Sequence, residues 1–283
     1  MQGFSTQSKI LPQVATQENI IHVTELAGSL HESSHHNMNL HGQKSEMGLT
    51  DSSLESTSTH RAWVAIGCGA MVAVMGKSIT AIDSFESIPL GLISAYMGYV
   101  LADLVTGINH WGIDNYGGAN TLVFGPQIDG FQGHHRRPWT ITKRRFANNI
   151  HALAHPASFI LGAFVLLPGN TAVDAFVGAM TSCVVFSQQF HSWSHSKKRQ
   201  LPQVVVGLQE KGVLVSRLKH ATHHRAPYDN NYCIVSGMWN PVLDNSKFFT
   251  RLEVFIYSRW GVRPRCWNET SIEWLQDGSY FED

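Results

Sequence analysis

Four stretches of this chain are apolar on every side, without the alternation that marks a half-buried element. Ala62 to Ile82 is interrupted only by Lys77 near its far end, and Ile88 to Ile108 only by Asp103 near its end. A short linker with Asp83, Glu86 and Pro89 joins them. Ala152 to Leu167 and Thr171 to Ser187 form a second pair around Pro168-Gly169-Asn170, with Asp174 early in the last stretch. At 1.5 Å per residue, about 21 residues match a hydrocarbon core of about 30 Å. The second pair is shorter and crosses with its polar ends in the interface. The pattern predicts an all-α, integral-membrane four-helix bundle made of two hairpins; a buried soluble hairpin is the alternative.

Two hairpins put both turns on one side of the membrane. The N-terminus, residues 109–151 and everything after about 188 then share the other side. That side carries Arg136, Arg137, Lys143, Arg144, Arg145, Lys197, Lys198, Arg199, Arg217, Lys219 and Arg225, whereas the turns carry only acids. The excess of basic residues orients this larger side toward cytosol, or toward stroma in a plastid. After 188 the pattern predicts a surface helix over Leu201 to Leu218, a turn at Tyr228-Asp229-Asn230-Asn231-Tyr232 and a helix from Phe248 to Tyr257. Trp260, Trp267 and Trp274 are expected at the membrane interface or in a core.

Residues 1–59 differ from the rest. They hold ten serines, five histidines and no arginine. With so little apolar periodicity the segment is expected to be disordered. It is a candidate plastid transit peptide, although its six acids outnumber its two lysines, against the transit-peptide pattern. Its own histidines read as adventitious. The membrane-embedded domain is expected over 60–275, with a short tail at 276–283.

Composition removes other classes. Formal net charge is zero, with 21 basic and 21 acidic residues, so nothing points to nucleic acid. Charged residues are 15% of the chain, below the roughly 25% of soluble domains. Cys68, Cys183, Cys233 and Cys266 form no CxxC pair, which speaks for free thiols and against a disulfide framework or a cysteine zinc site.

Histidine changes the picture most. The larger side carries His110 with Asp114, then His134-His135, then His191 with His195, then His220 with His223 and His224. Spacings of three and four residues place ligand groups on one helical face, and imidazole is the commonest metal ligand near neutral pH. His110 follows the second apolar span and His191 the fourth, on the same membrane side, so the clusters can meet. Eight histidines and Asp114 suffice for two metals, a histidine-rich di-metal cap on the stromal or cytosolic side. Asp114 reads either as a ligand or as an orienting partner of a histidine. His151 is a further candidate, read first as interfacial; His60 is expected to do no chemistry. Imidazole suits iron, copper, nickel and zinc alike, so spacing leaves the element open. Two redox metals can share the electrons that cleave oxygen and remove hydrogen from an unreactive carbon, for which iron is the economical choice.

The phrases around these histidines carry a resemblance. Gly107-Ile-Asn-His110-Trp111-Gly-Ile-Asp114-Asn-Tyr116, Phe131-Gln-Gly-His134-His135, Phe186-Ser-Gln-Gln-Phe190-His191-Ser-Trp193-Ser-His195 and His223-His224-Arg-Ala-Pro227-Tyr228-Asp-Asn-Asn-Tyr232-Cys233 resemble the plant fatty acid desaturase 4 family, which is related to the plasmanylethanolamine desaturases. The resemblance covers about residues 59–275. It implies a non-haem di-iron membrane desaturase using O2, with the irons on the residues above. In the plastid branch it implies a trans double bond at carbon 3 of palmitate on phosphatidylglycerol, a ferredoxin-type electron donor, and a thylakoid or envelope location with the metals facing stroma. An ether-lipid desaturase or lipid hydroxylase is the nearest rival. A membrane metal transporter or storage protein is a rival of another class, and a zinc hydrolase a third.

Overall fold

The computed structural model describes residues 51–268. Among them there is no strand. Four helices are long and apolar enough to cross a membrane: α1 (Ser58–Thr80), α2 (Ser87–Asn115), α4 (Phe146–Leu166) and α5 (Thr171–His195). Between the hairpins lies α3 (Gly125–Arg136), followed by a 3-10 turn, Pro138–Lys143. After them come four shorter α-helices, α6 (Gln203–Glu210), α7 (Arg217–His223), α8 (Asn240–Asn245) and α9 (Phe248–Trp260).

Helix α5 is the hub of the bundle. It packs on α1, α2 and α4, and α1 packs on α4. The core shared by α1, α4 and α5 centres on Val74, Ile150, Leu161 and Val185, all at most 1% exposed. Lipid tails are as apolar as the side chains, so close backbone approach matters more here than hydrophobic burial. Gly98 shows this: a Cβ there would lie 2.5 Å from the Phe176 carbonyl oxygen on α5. Outward positions such as Val72, Leu92 and Phe159 are open, as membrane-facing residues must be.

The two turns are neighbours at one end, as the hairpin reading requires. A Cβ on Gly169 would sit 3.3 Å from Ala81 Cβ. Lys77 donates to the Phe164 and Leu167 carbonyls at 2.5 and 2.6 Å, satisfying carbonyl groups at the end of α4.

Helix α2 is longer than its apolar span. Its 29 residues cover about 43 Å, so its last turns pass beyond a core of about 30 Å. His110 and Asp114 sit on that extension, and α5 likewise continues through His191 and His195.

Several expectations are corrected. Leu201–Leu218 is not one helix. It breaks after Glu210, where Gly212 takes φ +72°, and the Val213 and Leu214 amides turn back onto the Leu208 carbonyl. Order also begins before residue 60. Thr57 caps α1, the Asn148 amide donates to Ser56 Oγ at 3.0 Å, and Arg145 Nε pairs with Glu55 at 3.1 Å. Residues 1–50, Trp274 and the 276–283 tail lie outside the described residues. The Phe248 helix forms and runs on to Trp260.

Asp103 is not near a helix end. It is fully buried well inside α2, and its carboxylate accepts the amides of Val235, Ser236, Gly237 and Trp239 at 2.8–3.2 Å. The 233–239 segment is thereby pinned along the inner half of α2, below the level of His110.

Candidate metal centre

At the end of the bundle opposite the turns, nine side chains converge as two groups. His134, His191, His195, His220 and His224 form one; His110, Asp114, His135 and His223 form the other. Within each group the ligand atoms lie within 4.8 Å of one another. Eight of these residues are at most 7% exposed, and His224 is half-buried.

Sequence spacing explains how the helices deliver them. His110 and Asp114 are one turn apart on α2, with Nε2 and Oδ2 3.2 Å apart. His191 and His195 are one turn apart on α5. Both HisHis pairs divide, because successive helical side chains diverge by about 100°. His134 and His135 end α3 and join different groups, as do His223 and His224 at the end of α7. The reading of His220, His223 and His224 as one face therefore needs correction: His223 turns to the aspartate group while His220 and His224 turn to the other.

Asp114 stands among the ring nitrogens. Its Oδ2 lies 3.2 Å from Nε2 of His110 and His135 and 3.3 Å from Nε2 of His223. His223 Nε2 and His135 Nε2 are 3.2 Å apart. Nε2 atoms of His134 and His195 are 2.9 Å apart, and those of His220 and His224 3.1 Å. Neutral imidazoles that crowd nitrogen to nitrogen leave each other poorly satisfied. About 2.1 Å metal–nitrogen bonds would give separations near these as polyhedron edges, so the donor set fits a cation in each group. His151 is not part of either. Its Nδ1 bonds the Asn148 carbonyl at 2.8 Å, and its ring stacks on His60 at 3.8 Å. His60 itself completes the α1 cap with Thr57.

Two rings are aimed by backbone. His110 Nδ1 lies 2.9 Å from the Tyr232 carbonyl, and His223 Nδ1 lies 2.8 Å from the Asn230 carbonyl. A carbonyl oxygen can only accept, so each Nδ1 carries a proton and Nε2 is the nitrogen turned inward toward the group. The Tyr232 hydroxyl donates to the Tyr228 carbonyl at 2.7 Å and accepts from Asn115 Nδ2 at 2.9 Å, which fixes the turn. These carbonyl contributions have no sequence signal, because any residue type supplies one. Phe131 covers His110 from the side, with ring centres 5.3 Å apart.

Electrostatics favour neutral ligands. His134, His220 and His224 lie outside the spans. Burial, and then the neighbouring imidazoles, hold each of them well below the usual histidine range. The four cysteines are free, and none belongs to either group. Burial pushes the Cys233 and Cys266 thiols up, away from the reactive thiolate.

Comparison with known proteins agrees with this geometry. The family model for the lipid desaturase domain matches residues 99–267, which contain all nine residues. The chain is 51% identical over 222 residues to fatty acid desaturase 4, chloroplastic, of Arabidopsis thaliana, covering 78% of this chain and 68% of that one. It is 48% identical over 230 residues to fatty acid desaturase 4-like 1, chloroplastic, from the same plant, covering 80% and 77%. Plasmanylethanolamine desaturase 1 of Mus musculus is more distant, 28% identical over 219 residues, covering 74% and 79%. No solved structure matches. An all-helical bundle, two buried histidine groups at one end and the family match agree: the chain belongs to the lipid desaturase family.

Proposed function

We propose that this protein is a plastid membrane desaturase that holds two iron ions and uses O2 to place a trans double bond at carbon 3 of palmitate on phosphatidylglycerol. The observation that carries the reading is the pair of buried ligand groups at the end of four apolar helices. The chloroplastic relatives at about half identity support the plastid and the acyl-lipid class. When bound, two irons supply the one-electron steps by which O2 removes two hydrogens from a saturated carbon pair.

The chain's own residues do the rest. His110, His135, His223 and Asp114 hold one iron; His134, His191, His195, His220 and His224 hold the other. Tyr232 and Asn230 fix the tautomers of His110 and His223, so no proton blocks the inward nitrogens. Burial keeps bulk water away from the ligands. The ligands sit on helix ends near the headgroup layer, a depth suited to carbons close to the ester or ether link. Arg136, Arg137 and Lys143, on the same side, would bind the lipid phosphate. A ferredoxin-type protein would deliver electrons from the stroma.

Expression in a host lacking the activity, with lipid profiling of wild type against His223→Ala, tests this. The expected result is a carbon-3 trans product on phosphatidylglycerol with wild type only. A new enol-ether product would move the substrate to ether lipids, the chemistry named in the mouse relative. A hydroxylated product would replace desaturation. Identical profiles for both proteins would refute the reading for the lipids tested.

A further inference from the structure

We infer that Asp103 is a positioning residue for the aspartate-containing metal group: its carboxylate holds the 230–239 segment in the shape that aims His110 and His223. The inference rests on the iron-binding reading above and adds a residue remote from both irons.

Asp103 precedes His110 by seven residues on α2, about 10 Å along the helix axis. It is 0% exposed, inside a span otherwise almost free of charge. An ionisable group at such a depth is costly and needs a specific partner. Its partner is a run of backbone. Oδ1 accepts the Val235, Ser236 and Gly237 amides at 3.1, 2.8 and 3.0 Å, and Oδ2 accepts the Trp239 amide at 3.2 Å. These amides belong to irregular chain outside any helix. Two carboxylate oxygens can accept all four, which an amide or hydroxyl side chain cannot match.

The same segment is tied to α2 on both sides of Asp103. Trp239 Nε1 donates to the Val100 carbonyl at 2.9 Å, and Cys233 packs where Gly107 lacks a side chain. Asn240 Oδ1 accepts the Cys233 amide at 2.9 Å. The next residue back is Tyr232, whose carbonyl orients His110, and two before it is Asn230, whose carbonyl orients His223. A displacement at 235–239 therefore reaches those two rings within a few residues. In the five-histidine group, Nδ1 of His191, His220 and His224 has no protein partner, so this segment does not aim those rings.

The test uses the full-length protein, purified and loaded with iron, as wild type, Asp103→Ala and Asp103→Asn. Iron per chain and the Mössbauer spectrum are read beside the melting temperature. Wild type is expected to hold two irons in two distinct signals. Asp103→Ala is expected to weaken the signal of the aspartate group, with iron affinity there about 10–100-fold lower, the usual effect of losing an orienting partner. The other signal persists. Asp103→Asn keeps one carbonyl oxygen for the three Oδ1 donors and is expected to restore part of the loss. If Asp103→Ala does not accumulate, Asp103→Asn carries the test through a smaller loss confined to the same signal. Equal loss of both signals, or two unchanged signals in either purified variant, overturns the inference and leaves the iron reading standing. Wild type that binds no iron overturns the iron reading itself, and this inference with it.

Discussion

The two ligand groups lie side by side but are held differently. In the aspartate group two rings are tethered by backbone carbonyls, and a carboxylate faces three nitrogens. In the five-histidine group all donors are imidazoles, and three of them lack a protein partner at Nδ1. Backbone carbonyls thus aim two rings of the first group, whereas His191, His220 and His224 of the second have no such tether at Nδ1. The charge differs as well. With the proposed iron in each group, Asp114 would bring a carboxylate to one and the other would have only imidazoles, so the two irons would be electronically unlike.

This contrast can be broken in order of effect. His223→Ala and His191→Ala each remove a ligand from a different group. Both are expected to cut lipid product by at least about 100-fold, beyond the usual effect of an orienting partner alone. Iron analysis should show the loss in different signals. Asp114→Asn removes the charge that distinguishes the groups. Its two iron signals are expected to move toward one another, and retention of the wild-type spectrum would show that Asp114 is no ligand.

Acid should act on the cluster as a whole. His134, His220 and His224 are held below 6.5 by burial. Below that pH the unfolded chain takes up protons that the folded chain refuses. The stability they contribute is therefore present above about pH 6.5 and is lost as pH falls below it. Denaturation of the iron-free protein across pH 7.5 to 5 measures this, and rising stability on acidification would contradict it. The smallest effect is expected for His151→Ala. That ring stacks on His60 outside both groups, so iron content and product should stay near wild type while melting shifts slightly.

The sequence reveals the spans because they are apolar runs of membrane-crossing length, and the histidine clusters because three of the four hold ligands at helical spacing. The pairs His110/Asp114 and His191/His195 meet as their spacing predicts. It does not reveal how the clusters are shared. HisHis looks like one ligand pair in sequence, but the helical turn of about 100° per residue sends each partner to a different group. The roles of Tyr232 and Asn230 rest on carbonyl groups that every residue has. Asp103 reads as a lone charge near the end of a span because its partners are amides more than a hundred residues away. The broken helix at 201–218 hides behind an apolar run, with Gly212 as the one marker of the turn.

The central claim is two irons, one in each group. Metal analysis of the purified full-length protein, with iron and zinc counted per chain, tests it most directly. Two irons per chain and little zinc are expected. One zinc per chain, with no iron, would contradict it.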